Sequence, residues 1–434
     1  MGGIRLVRRC GPTHALGLAA LLPWLVAAAP TPADRAIATA EGHVSAAPGR
    51  PAAYVELATA FMQKSREASD PGYYPRAAAA LERALRLDPQ NYEALRVRPW
   101  VLLGQHDFRG ARVAAEQARA LESDDWWNYG MLADAEVELG DYAAADRVVQ
   151  RMLDLRPGLP AYTRAAFLRT LYGDRAGAIE MLTLALATTS PGDPETFAWT
   201  LVHLGHEHFA RGEMVHAADA YAQALDALPG YYLALAGLAR VRAAEGRTAE
   251  AVDLYQRAVS RVPAPDLVAA LGDVLAAKGM VGDAERQYAL VEYIGRVAQA
   301  TGTTYGRQLA LFYADHDRRL DEALRLAEQE AAVRDDIYTD DTLAWACYKN
   351  GRLARAKRAA SRAQRLGTED ALLDYHAGLI AAAFGRPRAG RRHLRRALAM
   401  NPHFDLHEAP RAEAALAALE EPARFVRAVA EDAP

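Results

Sequence analysis

The sequence predicts an all-α protein, a right-handed superhelical solenoid of about ten helix-turn-helix hairpins with a C-terminal capping helix. Two observations carry this. Gly212, Ala217, Tyr221, Ala224 and Pro229 recur as Gly246, Ala251, Tyr255, Ala258 and Pro263, every offset being 34 residues. The interval of 17 residues from glycine to proline returns at Gly72–Pro89, Gly140–Pro157 and Gly385–Pro402. Glycine and proline therefore punctuate joints between helices, and no segment shows the two-residue alternation of a strand.

In chain order, residues 1–28 read as a secretory signal. Arg5, Arg8 and Arg9 precede an apolar run from Ala15 to Ala29, and Val26 and Ala28 suit cleavage before Ala29. The expected setting is export, secreted or at the periplasm or cell surface. An uncleaved membrane anchor is the alternative, and the run is short against the roughly 20 residues a bilayer span needs. Residues 29–50, rich in Ala, Pro, Thr and Gly, read as a flexible linker. Residues 51–402 hold the repeats. Gly279, Ala284 and Tyr288 continue the series with a step of 33, weaker copies fall at Asp107–Ala118, Gly173–Ala185, Leu320–Ala331 and Gly351–Ala363, and the copies near Asn91 and Thr303 depart from the pattern. Within a unit, Gly212 and Gly246 are expected to end the first helix in a left-handed C-cap. Pro229 and Pro263 stop the second. Gly205, Ala217 and Ala224 let helices approach, and the tyrosine fills the space between units. Residues 403–434 are read as a capping helix, Glu408–Leu419, followed by a fraying tail.

The 34-residue unit resembles the tetratricopeptide repeat family over residues 51–402. The resemblance implies a concave inner face that holds an extended or helical peptide. It does not imply the carboxylate clamp of some such domains, because only Lys64, Lys278, Lys349 and Lys357 exist and no Lys-x-x-x-Asn opens a unit.

Composition narrows the function classes. The 434 residues carry a formal charge of −4 with 51% hydrophobic residues, a globular chain without the basic excess of a nucleic-acid binder. Two cysteines, Cys10 and Cys347, exclude a disulfide framework. No G-x-S-x-G, P-loop, dinucleotide fingerprint, H-E-x-x-H or C-x-x-C motif occurs. No enzyme activity, cofactor or small-molecule substrate is expected, and nucleic acid is not expected as a partner. The leading expectation is a protein-interaction scaffold whose partner is an unidentified protein or peptide.

Three groups of residues are candidates for contact. Extrapolating the register places Trp100, Trp127, Phe167, Trp199, Phe312 and Trp345 on the inner helices, facing the concave side, with Asp134, His206, Arg240 and Asp273 on the equivalent later turn as polar contacts. On this reading Trp199→Ala and Trp345→Ala weaken capture without unfolding the array. The competing reading packs these aromatics between helices. A second group lies in residues 351–396, where twelve basic side chains oppose three acids. Arg355, Arg358, Arg362, Arg388, Arg392 and Arg395 represent a patch for an anionic surface, an alternative function with steep salt dependence; the competing reading is a solvated outer face. The third is His203, His206, Glu207, His208 and His216. His203 and His206 share a helix face and could ligate zinc or nickel, giving a metal-dependent activity as the enzyme-class alternative. With no carboxylate one turn away on that face, no metal site is assigned.

Overall fold

The computed structural model describes residues 31–68, 70–190, 192–301 and 305–431. The expected signal, residues 1–28, lies outside them. Twenty-two helices follow in order and no strand occurs among the described residues. Helix α1 (Pro32–Ala46) stands first. Ten antiparallel hairpins follow. They are α2 (Pro51–Ala68) with α3 (Tyr73–Leu87), α4 (Tyr92–Gly104) with α5 (Phe108–Leu121), α6 (Trp126–Glu138) with α7 (Tyr142–Leu155), α8 (Leu159–Leu171) with α9 (Arg175–Ala187) and α10 (Pro194–Ala210) with α11 (Met214–Ala227). Then come α12 (Tyr232–Ala244) with α13 (Thr248–Arg261), α14 (Pro265–Ala277) with α15 (Val281–Thr301), α16 (Gly306–Asp315) with α17 (Leu320–Val333), α18 (Ile337–Lys349) with α19 (Leu353–Ala363) and α20 (Ala371–Ala383) with α21 (Pro387–Met400). Helix α22 (Glu408–Glu431) packs on α21 and α20 and covers the last hairpin. It runs past Leu419, where a fraying tail was expected.

The expected linker is a correction. Residues 32–46 are helical because alanine is the best helix former and the stretch opens with a capping box, Thr31 and Asp34 bonding each other's backbone amides with Pro32 at the first position. Lys64 reaches Asp34 at 2.8 Å and the Thr31 hydroxyl donates to Glu67 at 2.8 Å, so α1 is docked on α2.

The unit behaves as its sequence dictates. Gly212 and Gly246 both have φ of +74°, in the turn between paired helices. Where the second hairpin lacks glycine at this place, His106 takes the left-handed conformation, with φ of 60°. Tyr221 is fully buried between hairpins five and six, its ring lying flat against Gly205 and Gly237. A Cβ on Gly205 would come within 2.5 Å of the ring, and one on Gly272 equally close to Tyr288. Gly237→Ala is therefore expected to destabilise the array by about 1–3 kcal/mol through overpacking, read as a lowered urea midpoint; an unchanged midpoint contradicts this packing.

Winding brings hairpin turns of the first half onto inter-hairpin loops of the second. Asp335 N donates to Glu138 O at 2.9 Å, Ile337 N to the Tyr142 hydroxyl at 2.9 Å, Arg175 Nε to Glu369 O at 2.6 Å and Asn401 Nδ2 to Phe209 O at 2.8 Å. The Thr368 hydroxyl donates to Leu171 O. These partners stand about 195 residues apart, just under six units of 34. The second superhelical turn thus sits on the first along a continuous polar seam. Its interior becomes a lumen lined by the first helix of each hairpin.

Candidate functional site

The inner-face residues fall into two halves with different environments. In the first half, a cavity of 840 Å³ is lined by Tyr74, Trp100, His106, Asp134, Arg164, Phe167, Tyr305 and Arg334. It continues into a smaller one of 330 Å³, which shares Asp134, Arg164 and Phe167 and adds Trp199, His203 and Glu207. Helices α4, α6, α8 and α10 deliver Trp100, Asp134, Arg164, Phe167, Trp199, His203 and Glu207, while Tyr74, His106, Tyr305 and Arg334 come from neighbouring helices and loops. Trp100 packs edge-on against Trp127 with centroids 5.7 Å apart. Trp127 donates its indole N–H to Arg96 O at 3.2 Å and carries the Arg96 guanidinium 5.0 Å from its ring. It lines neither cavity and supports Trp100 instead. Phe167 is 46% exposed, although it lies on an inner wall. Trp199 is half-buried, its ring 4.0 Å from that of His203.

The charges on this wall are mutually satisfied. Arg164 grips Asp134 through two hydrogen bonds, Nε–Oδ1 at 2.8 Å and Nη2–Oδ2 at 2.5 Å. Glu207 accepts from Arg175 at 2.8 Å and from the Thr170 hydroxyl at 2.7 Å. Burial pushes His203 down to about 4. Desolvation within the lumen, with His203 and Arg240 nearby, likewise holds His206 below the ordinary imidazole range. Its Nδ1 meets the Tyr221 hydroxyl at 2.7 Å. Both rings are thereby biased toward the neutral form.

The second half already has an occupant. The segment between α21 and α22, with the first turns of α22, lies against the inner wall there. A cavity of 600 Å³ has Arg240, Asp273, Phe312, Asp315 and His316 on one side and His403, Asp405, Leu406 and Glu413 on the other. Arg240 donates to Phe404 O at 2.7 Å and stacks over Phe209 at 4.0 Å. Burial alone would raise Asp273, but the hydrogen bond with His316 at 2.8 Å and the ion pair with His407 at 3.4 Å hold it at about 2. Phe312 and Trp345, expected to line the groove, are core residues, which corrects the sequence reading. Trp345 is 1% exposed, donates its indole N–H to Asp315 at 2.7 Å and stacks on His376 at 4.2 Å. Tyr348, Tyr375 and His376 surround Trp345, and Phe404 of the C-terminal segment meets Tyr375 at 5.8 Å, so Phe404, Ala409 and Ala412 join the same apolar cluster.

The basic region divides as well. Arg355 binds Glu328 at 2.6 Å, Arg395 binds Glu420 at 2.6 Å, and Arg362 is tied to Asp340, which Arg365 also holds. Arg358, Arg388 and Arg392 are exposed and have no ion-pair partner among the described residues. Half of the expected patch is thus neutralised, and what is free lies on the outer helices α19 and α21.

The histidine cluster separates into two. His203 and His206 face the lumen, while His208 turns to the α10–α11 turn, where Glu213 meets it. Sequence reasoning missed Glu213 because it was sought on the same helix. It also missed Arg164, His106 and Arg334, the last two joined across 228 residues.

Repeated two-helix units of this period, stacked into a superhelix with a concave lining, give the chain the solenoid fold seen in tetratricopeptide repeat proteins. No family model and no curated protein matches the sequence. Among solved structures, the human IFIT1 dimer with m7Gppp-AAAA is similar with a TM-score of 0.51 at 16% identity, over 76% of each chain. Yeast Tom70 is similar over 90% of this chain and 93% of its own, with TM-score 0.39 and 12% identity. A tetratricopeptide repeat protein from Parabacteroides merdae covers 59% of this chain and 97% of its own, with TM-score 0.34 and 17% identity. These likenesses concern the fold.

Proposed function

We propose that the protein is a non-enzymatic scaffold, exported from the cytoplasm, that holds a peptide or protein partner against the inner face of its first five hairpins. The observation that supports this is Phe167, 46% exposed in a concave wall between Trp100 and Trp199. A half-open aromatic in a recess is the kind of anchor that concentrates binding energy at interfaces. The wall is preformed by stacked helices, so association orders little of the protein. The chain's own C-terminal segment forms one side of the 600 Å³ cavity in the second half, which favours the first half as the place for a partner.

The test is a photoreactive phenylalanine analogue at position 167, with the same analogue at Val113, exposed on the second helix of hairpin two, as control. Crosslinking of a defined partner from 167 and not from 113 is expected. Phe167→Ala should lower that partner's affinity about tenfold or more, with melting unchanged. Equal crosslinking from both positions, or full affinity in the variant, overturns the groove.

A further inference from the structure

The turn between α10 and α11 departs from its counterparts in a way that concentrates metal ligands. In hairpins two, three and four the residue opening the second helix is aspartate, and Asp107, Asp141 and Asp174 each accept a backbone N–H three residues on. At the same place hairpin five has Glu213, whose carboxylate makes no such cap. It turns instead to His208, with Oε2 2.6 Å from the histidine Nδ1. His216 follows one helical turn along α11, its ring 5.2 Å from that of His208. One nitrogen of each histidine and one oxygen of Glu213 all lie within 4.8 Å of one another.

We propose that His208, Glu213 and His216 form a binding site for a divalent transition ion, zinc above all. Two imidazoles and one carboxylate are a zinc donor set; calcium and magnesium would demand more oxygen. Tetrahedral ligands at ~2.0–2.1 Å from the ion stand roughly 3.4 Å apart. On binding, the ion displaces the proton shared by His208 Nδ1 and Glu213 Oε2, whose 2.6 Å contact opens to that spacing. The exposed His216 ring adjusts to close the set and leaves the fourth position to water. Arg211 Nε forms an ion pair with Glu213 Oε1 at 2.9 Å, orienting the carboxylate and leaving Oε2 for the ion. The turn also carries the seam: Asn401 bonds Phe209 O at 2.8 Å, and Met400 O lies beside Gly212. A bound ion would fix the turn in the shape on which the second superhelical turn rests. This site is separate from the inner wall proposed to hold the partner.

The test uses the full, tag-free chain, stripped with chelator and titrated with zinc chloride against a chromogenic competitor. One equivalent is expected with low-micromolar or tighter affinity. Glu213→Gln and His216→Ala should each weaken binding by ~10-fold or more. Both side chains are at the surface or close to it, so far-UV circular dichroism of the zinc-free variants should match the parent. Zinc should raise the melting temperature of the parent and not of the variants. Absence of a stoichiometric site in the parent, or binding unaltered in both variants, overturns the assignment.

Discussion

Trp345→Ala is expected to destabilise the second half of the array by about 3–5 kcal/mol, the range for deleting a large buried aromatic. The indole is 1% exposed and lies between His376, stacked at 4.2 Å, and Tyr375, whose ring centroid is 5.7 Å away. Its removal leaves a void among α16, α18 and α20 and takes away the donor that Asp315 meets at 2.7 Å. Burial, opposed by the nearby His376, pushes that carboxyl up to about 7, so Asp315 is poorly placed to stand unpaired. In a repeat array such a loss unfolds the neighbouring hairpins first. A low-denaturant phase is therefore expected in urea melts followed by circular dichroism, with hydrogen exchange accelerated across 306–413. Trp345→Phe keeps the apolar filling and should fall between parent and alanine variant. An unaltered melt for Trp345→Ala would show that the residue lines an open groove after all.

The contrast between Phe167 and Trp345 shows what a repeat sequence reveals. Both occupy the inner helix of their unit, and the register alone gives them the same address. What separates them is non-local: residues 403–412 fold back over the second half and none covers Phe167. The hairpin grammar is local by nature. Gly212 must turn left-handed, Tyr221 must rest on glycine, and Pro229 must end a helix, so period, unit boundaries and cap were legible. The helix at 32–46 carries a local signal, the Thr31–Asp34 capping box with Pro32, which the linker-like alanine, proline and glycine composition masks. Glu213 carried a readable signal as the one glutamate among aspartates that open second helices in hairpins two to five. The seam carried none, since Arg334 and His106 lie 228 positions apart and neither breaks the repeat pattern in a way that points to the other.

Arg334 is the residue on which that seam turns. It is 6% exposed, between Glu138 and Glu330, both at 3.2 Å, with His106 accepting from Nη2 at 3.0 Å and Phe108 beneath the guanidinium at 4.7 Å. Burial raises both glutamates, and Arg334 is what opposes it. Arg334→Ala leaves two carboxylates in a site with no other close cation except Arg307. Losing one partner of a buried ion pair typically costs about 3–5 kcal/mol. The two superhelical turns should part there, and small-angle scattering should report a larger radius of gyration with helicity largely kept. Acid should act in the same direction. Burial, then Arg334 and Arg307, holds His106 down at about 4, against an ordinary 6.5. The folded state therefore binds fewer protons than the unfolded one between these values. Its stability is full above about 6.5 and falls as pH drops from there toward about 4. His106→Gln, able to accept the same hydrogen bond without titrating, should flatten that dependence at the seam. Glu138 and Glu330 in the same cluster, and the histidines on Asp273, His316 and His407, are raised and shift stability the opposite way, so the variant and not the parent's overall profile isolates the effect. Scattering and melting curves for Arg334→Ala that coincide with the parent's would mean that the turns are held apart from this cluster altogether.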